Sequence, residues 1–228
     1  MKIFCLILLC GVGVAQAGNI TGTVRAQGKP VPESAAAGGS YDSRKYKFAE
    51  RVNYEEFRDF IVYIEGPVGA KPIPPVKPLA VDTRRIEQKG AAFQPHVLPL
   101  VAGTTVEWPN SDTIYHNVFS MSEVKSFDLD LYKENPPEKK VTFDKPGRVD
   151  VFCSIHANMN CVVLVLENPY FAAADDHGHY SITNVPPGTY TLKAWHERMP
   201  ARTEKIVVPE SGEVKQDFVL SLSGLPRY

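Results

Sequence analysis

Cys153-Ser154-Ile155-His156-Ala157-Asn158-Met159 is the stretch that decides the fold, because it joins two segments with the pattern of β-strands. Arg148 to Cys153 alternates polar and apolar residues, which is typical of a half-buried strand, and Val162 to Leu166 is an apolar run that starts the next strand. Asn158 suits the tight turn between them. The sequence therefore predicts a strand–turn–strand unit that presents a thiol, an imidazole and a thioether to a single point.

These three donors are the ones used by copper electron-transfer proteins. Such sites hold copper with two imidazoles and one thiolate in a plane and a weak thioether above it. The thiolate and the thioether are soft donors that favour Cu(I), whereas imidazole binds both oxidation states. Cys153, His156 and Met159 are therefore the predicted ligands of a type 1 copper ion, and a second imidazole has to come from a distant strand.

The spacing Cys-x2-His-x2-Met resembles the ligand loop of amicyanin among the cupredoxins. Tyr115-His116-Asn117-Val118-Phe119 resembles the plastocyanin-like segment in which the histidine binds copper. The resemblance covers Phe93 to Leu166 and implies a cupredoxin Greek-key sandwich, with His116 as the fourth ligand. It also implies that Asn117 supports the site from outside the ligand set, by tying the two loops together and by donating its backbone N–H to the thiolate.

Cys161, eight residues after Cys153, leaves two alternatives to copper open. In an oxidising compartment the two cysteines would first suggest a disulfide, which would remove the thiolate ligand. Cys161 would otherwise join His116, Cys153 and His156 in a tetrahedral zinc site. Neither alternative explains Met159, so we expect Cys161 to be a buried free thiol that packs as a small apolar residue.

Two further histidines are possible additional ligands. His96 lies on a predicted strand upstream of His116. We expect it to be a bystander unless that strand brings it near the copper. His196 follows Trp195 at the end of a strand, in a Trp-His-Glu sequence that often occurs at this point in proteins resembling this one. That position makes His196 a candidate for a site facing the copper domain.

The N-terminal residues have the pattern of a signal peptide. Lys2 precedes an apolar run from Ile3 to Val14, and Ala15-Gln16-Ala17 is a small-x-small cleavage pattern. The run is shorter than the ~18–20 apolar residues that a membrane-spanning helix needs. We therefore expect cleavage before Gly18 and a periplasmic or secreted protein.

Short strand-like segments punctuated by Gly, Pro and Asn predict an all-β sandwich for the whole chain. These segments are Ile20 to Val24, Phe60 to Glu65, Thr104 to Trp108, Arg148 to Cys153, Val162 to Leu166, Tyr190 to Trp195 and Lys215 to Leu220. Ser43 to Asp59 is charged and aromatic and lacks Gly and Pro, so we expect an amphipathic helix or an ordered surface insert there.

The two ends of the chain resemble parts of one domain. Ile20-Thr21-Gly22-Thr23-Val24 resembles the opening, and Gly178 to Leu192, with the turn Pro186-Pro187-Gly188, resembles the closing half of a carboxypeptidase regulatory-like domain. The predicted organisation is thus a copper domain inserted in, or next to, a second small β-sandwich. The predicted segments are a signal peptide over 1–17, N-terminal strands over 18–66, a proline-rich linker over 67–83, the cupredoxin domain over 84–168 and C-terminal strands over 169–228.

The predicted function is the transfer of single electrons between periplasmic redox proteins such as cytochromes or a dehydrogenase. Because the chemistry is confined to Cu(II)/Cu(I) cycling, we do not expect an enzyme. The arrangement resembles proteins labelled methylamine-utilisation or plastocyanin-like, which implies a periplasmic redox setting. The balance of 25 basic and 26 acidic residues argues against a nucleic-acid partner, and we expect no integral membrane segment in the mature form. Copper storage, delivery or sensing is the first alternative, and a structural or adhesive sandwich with a Cys153–Cys161 disulfide is the second.

Overall fold

The computed structural model of the protein describes residues 17–28, 53–68, 84–134 and 139–221. These residues form 18 β-strands and one 3-10 helical turn, Tyr54–Glu56. The strands are β1 (Ala17–Ala26), β2 (Ile61–Ile64), β3 (Arg84–Arg85), β4 (Glu87–Gln88), β5 (Phe93–Gln94), β6 (Val97–Val101), β7 (Thr104–Glu107), β8 (His116–Met121), β9 (Ser126–Tyr132), β10 (Lys140–Phe143), β11 (Gly147–Phe152), β12 (Asn160–Leu166), β13 (Phe171–Ala173), β14 (His179–Val185), β15 (Gly188–His196), β16 (Met199–Val208), β17 (Ser211–Lys215) and β18 (Phe218–Leu220).

The all-β fold predicted from the sequence is confirmed. The signal peptide up to residue 16, the proline-rich linker over 69–83 and most of the segment from Ser43 to Asp59 lie outside the described residues. No helix among the described residues is long and apolar enough to cross a membrane.

The prediction of one strand from Lys215 to Leu220 is wrong, because this segment divides into β17 and β18. The Asp217 carboxylate accepts hydrogen bonds from the backbone N–H of Thr23, at 2.7 Å, and from the Thr23 hydroxyl, at 2.9 Å. These side-chain bonds replace ladder pairing at this point. The chain therefore leaves β1 after β17 and pairs with it again at β18.

The first sandwich is built from β3 to β12. One sheet has the order β6-β12-β11-β8-β9, the facing sheet has the order β10-β7-β3, and β4 pairs with β5 beside them. Trp108 and Phe143 are among the largest fully buried side chains of its core. The same core contains Cys153, Met159 and Cys161, so the sulfur-bearing side chains lie at the buried end of this sandwich.

The second sandwich is built from β1, β2 and β13 to β18. One sheet has the order β14-β1-β17, with β18 also paired to β1, and the other has the order β13-β2-β15-β16. Its core combines residues that precede the first sandwich, such as Ile20 and Val62, with residues that follow it, such as Leu192 and Phe218. Both ends of the described chain thus contribute to one apolar core.

Strand β12 explains how the two sandwiches meet. Val163 and Val165 point into the core of the first sandwich. Val162, Leu164 and Leu166 point to the other side, where they pack with residues of the second sandwich, including Ile61 and Trp195. A strand buried on both faces has to be apolar at every position, which accounts for the continuous run from Val162 to Leu166. Each such side chain contributes about 1.5–3 kcal/mol by burial.

Candidate metal centre

The ligand loop, Cys153 to Met159, is closed by two backbone hydrogen bonds. The N–H of Cys153 donates to the carbonyl of Met159 at 3.0 Å, and the N–H of Met159 donates to the carbonyl of His156 at 2.9 Å. The loop follows β11 and leads into β12, which pair antiparallel. Cys153 and Met159 are both buried, whereas His156 is partly exposed. The turn predicted from the sequence therefore brings its first and last residues together.

His116 reaches the same point from β8, which lies beside β11 in the sheet. Its ring is fully buried. Its Nδ1 atom lies 3.1 Å from Nδ1 of His156, and the Sγ atom of Cys153 lies 3.7 Å from that same His156 nitrogen. The ligand atoms of His116, Cys153 and His156, called the donor group below, all lie within 4.8 Å of one another. Within the described ranges, this is the one group of His, Cys, Asp and Glu able to hold a metal ion.

The spacing of the donor group fits a single metal ion. A metal bonded to nitrogen at about 2.0–2.1 Å and to sulfur at about 2.3 Å brings its donors to roughly 3–4 Å from one another. Two imidazole nitrogens at 3.1 Å repel each other through their lone pairs unless a proton or a cation lies between them. Met159, which carries a thioether, is buried in the same core cluster as Cys153. Two imidazoles and a thiol, with a thioether as a weak fourth donor, are the donor set that suits copper.

Asp112 is a functional residue that the sequence reasoning missed. Nε2 of His116 donates to Oδ2 of Asp112 at 2.8 Å. Because a carboxylate only accepts, Nε2 carries the proton and the lone pair of Nδ1 faces the other donors. Oδ1 and Oδ2 of Asp112 also accept the backbone N–H groups of Gly90 and Ala91. The signal in the sequence was a carboxylate four residues before the histidine, a common partner of metal-binding imidazoles.

The hydrogen bonds to Asp112 keep it ionised. Burial alone would raise the pKa of this carboxyl. The N–H groups of Ala91 and Gly90 and the ring of His116 outweigh burial, so the pKa of Asp112 is lowered from its usual value. The negative charge that orients His116 is therefore present at neutral pH.

Asn117 touches the site through its backbone. Its N–H donates to Sγ of Cys153 at 3.4 Å. Its side-chain amide donates to Oδ1 of Asp128 on β9 at 2.7 Å. The expected side-chain tie between the two loops is therefore replaced by a tie to the neighbouring strand. The physical reason is that β9 pairs with β8 and brings a carboxylate within reach.

Cys161 does not belong to the donor group. It lies on β12 opposite Val151 and is buried, and both Cys153 and Cys161 are free thiols. Burial, followed by the charge of Asp150, raises the pKa of the Cys161 thiol well above its usual value. A protonated thiol is a poor metal ligand, because the thiolate is the form that binds.

The two additional histidines lie outside the donor group. His96 contacts the carbonyl of Asn160 and the carboxylate of Glu197. His196 packs between the rings of Phe57 and Phe60, with centroid distances of 5.1 and 5.0 Å. Its Nδ1 accepts the backbone N–H of Arg198 at 3.1 Å. In the Trp-His-Glu sequence, Glu197 therefore contacts His96 of the first sandwich through its carboxylate, and Trp195 packs against strand β12.

Comparison with known families divides the chain into two regions. Residues 80–166 match the family model of copper binding proteins of the plastocyanin/azurin family. Residues 160–216 match the model of polysaccharide lyase family 4, domain II, rather than that of a carboxypeptidase regulatory-like domain. A search of curated proteins found no match.

Several solved structures are similar to the chain. A purple cupredoxin from Nitrosopumilus maritimus is 24% identical, with 36% of this chain and 98% of that chain covered and a TM-score of 0.33. A reduced Cu(I) form of an amicyanin variant is 22% identical, with 39% and 86% covered and a TM-score of 0.33. A copper-containing nitrite reductase from Thermus scotoductus is 21% identical, with 63% of this chain and 28% of that chain covered and a TM-score of 0.36.

Proposed function

We propose that the protein is a type 1 copper protein that carries single electrons, with His116, Cys153, His156 and Met159 as the ligands. The observation that supports this most strongly is the donor group, whose ligand atoms lie within 4.8 Å of one another beside a buried methionine. Copper bound there supplies one-electron chemistry by changing between Cu(II) and Cu(I).

The surrounding residues hold the donors in place before the metal arrives. Asp112 fixes the ring of His116 with its Nδ1 lone pair inward. The N–H of Asn117 stabilises negative charge on the Cys153 sulfur. The backbone bonds of the ligand loop restrain Met159. A donor set held in this way needs little rearrangement when the charge of the metal changes, which suits electron transfer.

We propose electron carriage rather than catalysis because of the donor set. Three strong donors and one weak donor leave no coordination position assigned to a substrate, whereas catalytic metal sites keep an open position. The ligands come from one cupredoxin domain, which we propose to span residues 84–168. Strands over 18–66 and 169–228 would then form the second domain.

We propose that electrons leave through His156. It is the partly exposed member of the donor group. Ile114 and Tyr115, which directly precede His116, and Ile155, which directly precedes His156, are 47%, 52% and 51% exposed. An apolar rim of this kind suits the small interfaces of short-lived redox encounters. The partners would be periplasmic redox proteins such as cytochromes or a dehydrogenase, reached after export by the predicted signal peptide.

Copper titration with visible spectroscopy tests the proposed function. The purified protein should bind one Cu(II) per chain with an intense thiolate-to-copper absorption. Cys153→Ser should abolish this absorption and Cys161→Ser, the matched control, should keep it. Reduction should bleach the absorption with one electron per copper, and reoxidation should restore it.

Other outcomes would contradict the proposal in different ways. Several Cu(I) ions per chain without an intense absorption would indicate storage or delivery. A colourless protein in which Cys153 and Cys161 do not react with thiol reagents after denaturation would indicate the disulfide-linked structural sandwich.

A further inference from the structure

His96 lies where the second sandwich meets the end of the ligand loop. Its Nδ1 atom lies 3.2 Å from the carbonyl oxygen of Asn160, which directly follows Met159. Its Nε2 atom lies 2.9 Å from Oε1 of Glu197, in the turn between β15 and β16. The carbonyl of His96 itself accepts the backbone N–H of Val162 at 2.8 Å. One half-buried side chain thus contacts both the residue that follows the ligand loop and the second sandwich.

The ring of His96 contacts one hydrogen-bond acceptor from each side. Both atoms that face the ring, a peptide carbonyl and a carboxylate, are acceptors. The carbonyl belongs to the residue that follows the ligand loop, and the carboxylate belongs to the second sandwich. The imidazole therefore lies between the ligand loop and the second sandwich.

Glu197 is itself held against the first sandwich. Nη1 of Arg148, on β11, donates to the backbone carbonyl of Glu197 at 3.1 Å. The same guanidinium lies over the ring of Trp195, 5.9 Å from its centroid. The apolar cluster that contains Trp195 and Val162 lies beside these contacts. Since the turn cannot shift without breaking them, Glu197 presents its carboxylate to His96 from a fixed position.

Met159 is therefore restrained on both sides. Its own N–H and carbonyl bind His156 and Cys153 within the loop. The next peptide carbonyl, of Asn160, binds His96. Asn160 is also paired with Phe152 at the start of β12, so loss of the His96 contact removes one of the restraints at the point where the loop leaves Met159.

We infer that His96 is a positioning residue, through which Glu197 of the second sandwich fixes the ligand loop at Met159. The inference rests on the proposed function for its effect on copper, but the effect on the loop itself is measurable without metal. In structural terms, the second sandwich is then a part of the metal site's support rather than an independent module.

The test compares His96→Ala and Glu197→Ala with His177→Ala, which changes an exposed histidine of the second sandwich. In the metal-free protein, mass spectrometry follows the reaction of a thiol reagent with Cys153 and with Cys161 separately. The Cys153 rate should rise about tenfold in the first two variants, because the loop opens more often, while the Cys161 rate stays constant. His177→Ala should react like the wild type. A parallel rise at both cysteines would indicate general destabilisation and would overturn the inference.

A second readout uses the copper-loaded protein. His96→Ala should change the equilibrium constant for electron exchange with a one-electron reference couple by about threefold or more. This corresponds to a shift of about 28 mV in the reduction potential, at 59 mV per tenfold change. In a double-mutant cycle, Glu197→Ala should have little further effect when His96 is already alanine, because Glu197 acts through its contact with His96. Unchanged Cys153 rates and an unchanged reduction equilibrium would overturn the inference. If the wild type lacked the thiolate-to-copper absorption, the proposed function would fail, while the Cys153 rates would still decide the role of His96.

Discussion

At the scale of single residues, the tautomer of His116 decides whether a metal can bind. An imidazole presents a lone pair at only one nitrogen when neutral. Asp112 leaves that lone pair on Nδ1, because its carboxylate accepts a hydrogen bond from the N–H at Nε2. Oδ2 of Asp112 accepts hydrogen bonds from His116 and from the backbone N–H of Ala91, and Oδ1 accepts one from the backbone N–H of Gly90. Both oxygens of this carboxylate are therefore hydrogen-bonded.

Asp112→Asn should weaken copper binding by about 10–100-fold, the usual effect of losing a partner of a metal-bound histidine. An amide replaces one of the two acceptor oxygens by a donor, so either His116 or Gly90 then faces an NH2 group. Competition with a copper chelator of known affinity measures the change.

Asp144→Asn is the matched control, because Asp144 is exposed and pairs only loosely with Lys125, at 3.5 Å. It should bind copper like the wild type. Equal affinity of Asp112→Asn and Asp144→Asn would show that Asp112 does not orient the ligand.

Much of the site was predictable because its signals are local. The spacing from Cys153 to Met159 and the alternation of the flanking strands are read directly from consecutive residues. Asp112 lies four residues before His116, so its signal was local, whereas Glu197 was not predictable in this way, since it acts through a contact between residues far apart in the chain. Just before Glu197, a register shift between Ala194 and His196 interrupts the pairing of β15 with β16. The simple alternation of buried and exposed residues therefore fails there.

At the scale of elements, the turn before β14 depends on a glycine. Gly178 has a φ of +79°, and a Cβ at this position would lie 2.3 Å from the carbonyl oxygen of Val24. The Gly178 carbonyl in turn accepts the N–H of Val24 at 2.8 Å. The close approach of the turn to β1 thus requires a residue without a side chain.

Gly178→Ala should lower the free energy of unfolding by about 3 kcal/mol, from backbone strain plus the clash with Val24. Gly66→Ala is the control, because Gly66 has nearly the same φ, +81°, and open space where the Cβ would be. It should cost about 1–2 kcal/mol from strain alone. Urea unfolding with a constant m-value measures both, and equal costs would contradict the predicted close approach.

At the scale of the whole molecule, stability should depend on pH through His196. Burial, chiefly, lowers the pKa of this imidazole from 6.5. The unfolded chain therefore takes up the proton at a higher pH than the folded protein does. Unfolding is coupled to proton uptake as the pH falls below 6.5, so the stability present above that pH is progressively lost.

His196→Gln removes this proton uptake and keeps a side chain able to accept a hydrogen bond. In the metal-free protein, the free energy of unfolding should fall less between about pH 7.5 and about pH 5.5 for this variant than for the wild type. His177→Gln, at an exposed position, should keep the wild-type dependence. A wild-type dependence in His196→Gln would show that His196 does not contribute.

The two sandwiches are held together by packed side chains. β12 is buried on both faces. The contact from Glu197 to His96 adds a polar link beside the apolar one. Sequence patterns predicted both sandwiches, but which faces meet depends on the three-dimensional arrangement of strands far apart in the chain.

X-ray absorption at the copper edge of the loaded protein tests the central claim most directly, because it reports the atoms bonded to copper. We predict one short copper–sulfur bond and two copper–nitrogen bonds in both oxidation states, with the short copper–sulfur bond lost in Cys153→Ser. A shell of nitrogen and oxygen alone, or one that keeps the short copper–sulfur bond in Cys153→Ser, would contradict the assignment of Cys153 as the thiolate ligand.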